Sequence, residues 1–283
     1  MSQKYDDLLD YAIEKIHLGE WDAAIRGLDT WIKQGDIEAL AVLGGFYIYG
    51  IGVDKDVQHG ISMLEQAAQK GSGDACYELW IIFKGDHNCV QINTETALYY
   101  LGKGVELGNS KCYGDIGFCF LNGEYMNENP ILGYKYSRLA AEAGVPCGIL
   151  NCAICNDDGI GTVQNASEAR KWYRKYMEIE PDNDFVMVRL AICLADPYGV
   201  FGISASEDML KESLYYCEQA MSKNNSEAFL ICGWFYEMGR IVQQDYDEAY
   251  KYMKKSAELG NEIAREHLKL YFKDIFGRYY IRT

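Results

Sequence analysis

Hydrophobic and polar positions alternate with a helical period along almost the whole chain. From Ala39 to Phe46, apolar residues recur at three- and four-residue spacing, which is typical of a helix with one buried face. The pattern stops at Gly50, and glycine readily adopts the positive φ of a helix end. A second apolar pattern follows Asp56, whose carboxylate can cap the free N–H groups of a helix. These signals predict two short helices joined by a tight turn.

The same helix pair recurs along the sequence. Four segments of 36 residues share the pattern, at 36–71, 109–144, 145–180 and 225–260. Residues 72–108 fit with one extra residue, 181–224 fit with a longer middle, 4–35 form a plainer pair, and 261–283 form a capping helix and tail. Because each repeat can bury its apolar face only against its neighbours, we expect one continuous α-solenoid domain over residues 1–283.

Composition and charge narrow the classes of function. The chain has 49% hydrophobic residues, which argues against intrinsic disorder. It carries 42 Asp and Glu against 27 Lys and Arg, a formal net charge of −15. This excess of acids disfavours a nucleic acid or an anionic membrane as the ligand, because few cations are available to neutralise phosphates. A basic protein or peptide is the partner that such a charge attracts.

The N-terminal residues contain acids among the apolar positions and lack the apolar run of a signal peptide. No stretch approaches the length of about 18 apolar residues that a membrane-spanning helix needs. We therefore expect a cytoplasmic protein. The ten cysteines then imply free thiols in a reducing compartment.

Motifs that could carry chemistry are better explained by the repeat. Cys152 and Cys155 form a C-x-x-C pair, but they lie in a predicted helix with no second pair and no nearby histidine. We interpret them as small core residues. Gly50 and Gly52 lack the preceding strand of a dinucleotide-binding motif. The sequence therefore predicts no catalytic residue, no cofactor, no metal site and no small-molecule substrate.

The repeating pattern resembles the Sel1-like repeat, a relative of the tetratricopeptide repeat. Over residues 36–71 the resemblance rests on Leu43, Gly44, Tyr47, Gly50, Gly52, Val53, Asp56, Leu64, Ala67, Ala68 and Gly71. It implies an all-α, right-handed α-solenoid of stacked antiparallel helix pairs with a concave and a convex face. A secreted branch of that family carries regularly placed cysteine pairs. The cysteines of this chain do not recur in such pairs, which speaks against a disulfide ladder.

The resemblance also implies a groove lined by residues of the first helix of each pair that lie off the core stripe. Carried over by position, these are Glu38, Tyr49, Asp74, Tyr77, Lys84, Lys111, Phe118, Asn122, Asp157, Asp158, Phe185, Asp196, Glu227, Trp234, Glu237 and Glu266. Exposed aromatics beside fixed polar groups are typical of peptide-binding hot spots. The alternative for Phe118 and Trp234 is packing against adjacent helices.

The resemblance implies a non-enzymatic scaffold for protein–protein interactions, since Sel1-like proteins include signalling adaptors, host-interaction factors and toxin inhibitors. We expect the partner to be a protein or peptide, and a basic one because of the net charge. Two alternatives stay open. The first is a bacterial immunity protein that neutralises a toxin, and the second is a metal or redox protein that uses Cys152 and Cys155.

Overall fold

The structure of the protein, a computed structural model, describes residues 3–85, 90–197, 199, 202 and 204–281. These residues form two compact units, Met1–Asn151 and Cys152–Thr283. The boundary falls within one helix, Pro146–Asp158. In each unit, consecutive helices contact one another. The predicted all-α fold of stacked helix pairs is confirmed.

The first unit consists of helix pairs that coincide with the predicted repeats. Its helices are α1 (Gln3–His17), α2 (Trp21–Lys33), α3 (Ile37–Tyr49), α4 (Val57–Gln69), α5 (Gly73–Lys84), α6 (Thr94–Glu106), α7 (Ser110–Asn122), α8 (Pro130–Glu142) and the beginning of α9 (Pro146–Asp158). Each predicted repeat from residue 36 to residue 144 contains one first helix and one second helix.

The second unit continues the pattern and ends differently from the expectation. Its further elements are α10 (Ala166–Ile179), α11 (Asp184–Ala195), α12 (Glu207–Ser222), α13 (Ser226–Met238), α14 (Tyr246–Glu258), α15 (Glu262–His267), a 3-10 turn (Leu268–Leu270), β1 (Tyr271–Lys273) and β2 (Tyr279–Ile281). The sequence predicts a capping helix and tail over residues 261–283. The helix instead ends at His267, and the two strands form an antiparallel hairpin with Phe272 opposite Tyr280.

The helix ends form for the local reasons that the sequence indicates. The side chains of Asp56, Asn129, Asn165 and Asp245 each accept a hydrogen bond from a backbone N–H group in the first turn of the following helix. Gly50 closes α3 with a φ of 70°, in the left-handed region that side chains rarely adopt. These caps fix where each pair turns and therefore which face of each first helix is left uncovered.

The two helices of a pair pack closely where glycine removes the side chain. A Cβ atom added to Gly60 of α4 would lie 2.5 Å from the carbonyl oxygen of Gly44 in α3. The core of this region contains Leu43, Phe46 and Leu64, which are almost completely buried. Close backbone approach and a continuous apolar layer together hold α3 against α4.

Candidate functional site

Two of the predicted groove acids join one repeat to the next in the first unit. The Ser72 hydroxyl donates to Glu38 Oε2 at 2.7 Å, and the Asn109 amide donates to Asp74 Oδ1 at 3.0 Å. Ser72 and Asn109 are also the N-caps of α5 and α7. Glu38 and Asp74 are both buried, so these acids accept hydrogen bonds between repeats and contribute little to an open surface.

The same contact recurs in the second unit with a residue that the sequence analysis did not select. The side-chain amide of Asn225, the N-cap of α13, donates to Asp184 Oδ2 at 2.9 Å. The signal in the sequence is an acid in the first turn of one first helix and a Ser or Asn cap at the next. Glu227, in the first turn of α13, is half-buried beside this contact.

A charged and aromatic cluster lies between α5 and α7 of the first unit. The Trp80 indole donates to Asp115 Oδ2 at 2.5 Å, and Lys84 Nζ lies 3.7 Å from the same oxygen. Lys84 Nζ also lies 5.1 Å from the centre of the Trp80 ring, within reach of a cation–π interaction. Only Lys84 was predicted at this place. Trp80 was missed because it belongs to the apolar stripe, although its polar edge reaches the neighbouring helix.

Tyr77 and Lys111 form a second contact between the same helices. Lys111 Nζ lies 5.2 Å from the centre of the Tyr77 ring. Lys111 also lines a cavity of about 410 Å³ together with Gln3, Asp6 and Pro146. Tyr77, Lys84 and Lys111, all predicted from the sequence, therefore lie in one unit. The Lys84 ammonium group lies against the Trp80 ring, and the Lys111 ammonium group lies against the Tyr77 ring.

Exposed aromatic side chains remain on the first helices of this unit. Phe118 of α7 is 44% exposed, so a large part of this residue is open to solvent while the rest is covered by the protein. It lies one helical turn from Asp115 and therefore on the same face. The exposed Asn122 donates to the Phe118 carbonyl oxygen at 2.9 Å. Tyr49, at the end of α3, is 36% exposed.

In the second unit, a buried network fixes Asp157. The Tyr173 hydroxyl donates to Asp157 Oδ2 at 2.8 Å, and the Arg189 guanidinium donates to the same oxygen at 2.7 Å. Burial raises the pKa of Asp157, although the Arg189 charge opposes this effect. Arg189 also pairs with the half-exposed Asp158 at 2.5 Å. Asp157 is thus a packing residue, and Asp158 is an acid held at the surface by its partner.

Phe185 and Asp196 mark the two ends of α11. Phe185 is 48% exposed and lies one turn before Arg189, on the same face as the Arg189–Asp158 pair. Asp196 is buried and has a φ of 46° at the helix C-terminus. Of these two predicted groove residues, Phe185 is therefore an exposed aromatic residue, and Asp196 is a buried residue at a helix end.

Trp234 and Glu237 of α13 are covered by the chain itself. Trp234 is only 9% exposed and packs in a cluster with Met253 and Tyr271, which agrees with the stated alternative that it packs against adjacent helices rather than with an exposed groove aromatic. Glu237 Oε2 lies 2.8 Å from His267 Nε2 and accepts a hydrogen bond from the Tyr271 hydroxyl at 2.8 Å. The covering residues come from α14, α15 and β1.

Glu266, the last of the predicted groove acids, lies at the surface on α15. It pairs with Lys269 at 2.6 Å, and both side chains are about two-thirds exposed. An exposed pair of this kind contributes little stability.

Comparison with known proteins decides the family. The Sel1 repeat model matches residues 37–72, 74–109, 111–145, 148–175 and 226–261, more than half of the chain. The chain belongs to the Sel1 repeat family. Sel1 repeat proteins generally mediate protein–protein interactions and are typically scaffolds without enzymatic activity. The segment 181–224 is not matched by the family model, although it forms the pair α11 and α12.

Two solved Sel1 structures are similar in fold. The first is c5321, a protective antigen of uropathogenic Escherichia coli, with 23% identity over 92% of this chain and a TM-score of 0.63. This chain spans 58% of the length of that protein. The second is a Sel1 repeat protein from Oxalobacter formigenes, with 20% identity, a TM-score of 0.60, and coverage of 88% of this chain and 96% of that one. No protein of curated function matches the sequence.

Eight of the nine cysteines that the structure describes are buried, and Cys147 is partly exposed. Cys152 and Cys155 are almost completely buried in α9, and burial raises the pKa of the Cys155 thiol to about 12. Burial and a raised pKa are typical of cysteines that serve as core residues. The nine cysteines that the structure describes are free. Among the described residues, no three His, Cys, Asp or Glu side chains group together as a metal site would require.

Across the described part of the Sel1 repeat chain, no helix combines the length and the hydropathy that crossing a membrane requires.

Proposed function

We propose that this Sel1 repeat protein is a non-enzymatic scaffold that binds a basic protein or peptide on the exposed face of its first helices. The observation that carries the proposal is the exposure of Phe118 and Phe185, at 44% and 48%, beside acids that neighbouring helices hold in place. In the first unit the held acid is Asp115, and in the second unit it is Asp158.

This arrangement suits recognition of another protein. A rigid aromatic side chain buries a large apolar area at a small loss of side-chain entropy, so it can serve as an anchor. Asp115 and Asp158 are already oriented by Trp80 and Arg189, so little further ordering is needed when a partner binds. Each patch is small, so within a patch the exposed aromatic anchor supplies most of the affinity and the held acid supplies specificity.

The net charge favours a basic partner. With 42 acids against 27 basic residues, the long-range field of the chain attracts cations and accelerates their encounter with it. A basic toxin that is neutralised by this chain would be one instance of such a partner. Neutralising a partner by binding requires no catalytic residues.

The proposal is tested by affinity capture from the cell that makes the protein, with three baits beside the wild type. Phe118→Ala and Phe185→Ala each remove one exposed anchor, and each is expected to weaken retention of the natural partner about 10- to 100-fold, the range of an interface hot spot. The partner is identified by mass spectrometry and its affinity is then measured with purified proteins.

Ile131→Ala provides the matched control. Ile131 is 72% exposed, but it lies on α8, the second helix of its pair. The Ile131→Ala substitution removes a comparable apolar surface from a different face, so the partner should bind this variant as it binds the wild type. Equal retention by all four baits would show that the partner does not use the exposed face of the first helices.

A further inference from the structure

The last described residues of the second unit form a small element that we term the closing segment, residues 262–281. It comprises α15, a 3-10 turn and the hairpin of β1 and β2. It packs on the final helix pair, α13 and α14. Helix α15 has six residues and each strand has three, so the segment has little internal structure to hold it in place.

Two side chains of the closing segment meet on one carboxylate of α13. His267 Nε2 and the Tyr271 hydroxyl both lie 2.8 Å from Glu237 Oε2. The His267 ring also stands edge-on to Trp234, with ring centres 6.5 Å apart and an angle of 90° between the rings. Trp234 and Glu237 occupy positions at which the resemblance to tetratricopeptide-like arrays predicts ligand contacts. In this chain the closing segment makes those contacts.

The segment also contacts the second helix of the pair through aromatic and backbone groups. The Tyr279 ring stacks on Tyr250 with centres 3.7 Å apart, and the Tyr279 N–H donates to Asp247 Oδ1 at 2.9 Å. The contacts thus combine aromatic rings with donors to carboxylates. They are the contacts that a separate peptide would use to bind an acidic surface with exposed aromatics.

The closing segment lacks the excess of acids that the whole chain has. Residues 262–281 contain four Lys and Arg against three Asp and Glu, together with five aromatic residues, in a protein of net charge −15. At the turn of the hairpin, Ile275 and Phe276 point into solvent. Three of the four cations pair with acids of the segment itself, so the groups that it offers to the carboxylates of α13 and α14 are an imidazole, an aromatic hydroxyl and a backbone N–H.

We propose that the closing segment is an intramolecular ligand of the α13 face, and that a partner reaches Trp234 and Glu237 only when the segment is released. This inference rests on the proposed function, and it names the chemistry of the partner at this site: an aromatic hydroxyl beside an imidazole. Tethering gives such a segment an effective concentration in the millimolar range. A free ligand at micromolar concentration therefore competes poorly with the intact chain.

The test uses the full chain and a labelled synthetic peptide of residues 262–281 as the probe. The double variant His267→Gln, Tyr271→Phe weakens the tethered copy, while the peptide keeps both wild-type groups. Hydrogen exchange of the closing segment should become at least about tenfold faster, and the peptide should bind at least about tenfold more tightly than to the wild type. These factors correspond to the loss of hydrogen bonds to a charged group.

Three further measurements make the result decisive. The variant Glu266→Gln, Lys269→Gln alters an exposed pair in the same segment and should change neither exchange nor peptide binding. Glu237→Gln should accelerate exchange of the segment without creating a tight peptide site. If the double variant also loosens α13 and α14, Tyr271→Phe alone replaces it in both measurements.

Unchanged exchange in the double variant would overturn the inference, and so would a released segment with equal peptide binding to variant and wild type. No natural partner is needed for either measurement. A failure here therefore leaves the proposed contacts at Phe118 and Phe185 standing.

Discussion

Glu38 lies on the first helix of its pair, and its carboxylate takes part in the packing of one repeat against the next. Its carboxylate accepts the Ser72 hydroxyl, and burial raises its pKa above the ordinary value, with further contributions from Asp74 and Asp36. From the sequence alone, Glu38 and the half-exposed Asp158 are equivalent candidates for a partner site. The two acids differ because Glu38 contacts Ser72, which lies 34 residues further along the chain. A local sequence pattern does not contain such a contact.

The raised pKa of Glu38 gives stability a definite dependence on pH. A carboxyl whose pKa is raised in the folded state is destabilising when ionised, and the unfavourable contribution disappears as the pH falls and the group takes up its proton. Glu38→Gln keeps an oxygen acceptor for Ser72 and removes the charge. We expect it to raise the free energy of unfolding at neutral pH.

The gain in the free energy of unfolding from Glu38→Gln should shrink as the pH falls below neutral and Glu38 of the wild type takes up its proton. Urea denaturation of the wild type and of Glu38→Gln across this pH range measures the gain. Glu38→Ala is the contrasting variant, because it leaves the buried Ser72 hydroxyl without this acceptor and should destabilise by about 1–3 kcal/mol. A Gln variant that is less stable than the wild type at neutral pH would contradict this assignment.

At the scale of single elements, the helix pairs are predictable and the hairpin is not. The helix ends depend on neighbouring residues, such as Asp56 as an N-cap and Gly50 as a left-handed C-cap, so the sequence contains them locally. The strands around Tyr271 and Tyr279 are three residues long, too short for an alternating pattern to be recognised. Tyr271 of that hairpin contributes to the burial of Trp234 together with Met253 of α14 and Ala264 of α15, and the sequence pattern did not decide between burial and exposure of this residue.

Two glycines of one helix pair give opposite predictions for the same substitution. A Cβ on Gly60 would meet the Gly44 carbonyl oxygen at 2.5 Å and Ile48 Cγ1 at 2.6 Å, whereas a Cβ on Gly45 has nothing within 4 Å. Gly60→Ala should destabilise by about 1–3 kcal/mol through overpacking. Gly45→Ala should stabilise by about 0.5–1 kcal/mol, because alanine is the better helix former.

Urea denaturation followed by circular dichroism compares the two glycine variants directly. Each is the control for the other, since both change glycine to alanine within α3 and α4. Equal effects of the two substitutions would show that α3 and α4 are not held together by close contact at Gly60.

At the scale of the whole molecule, the repeat register and the charge were accessible from the sequence, because both are sums over many residues. The exposure of the predicted groove residues was only partly accessible. Phe118 and Phe185 are exposed as groove positions should be, whereas Asp157 and Trp234 are taken up by contacts within the protein. What remains is an acidic chain with exposed aromatic anchors and held acids, which is the basis of the proposed scaffold function.

Stopped-flow kinetics with the purified natural partner tests this scaffold function most directly, with wild type and Phe118→Ala compared at low and high salt. The association rate constant of both proteins should fall steeply with salt, because the attraction comes from the net charge of −15. Only Phe118→Ala should dissociate faster, by about tenfold or more, because it lacks an anchor. An association rate that does not fall with salt, together with an unchanged dissociation rate for Phe118→Ala, would contradict the proposed binding of a basic partner at the exposed first-helix face.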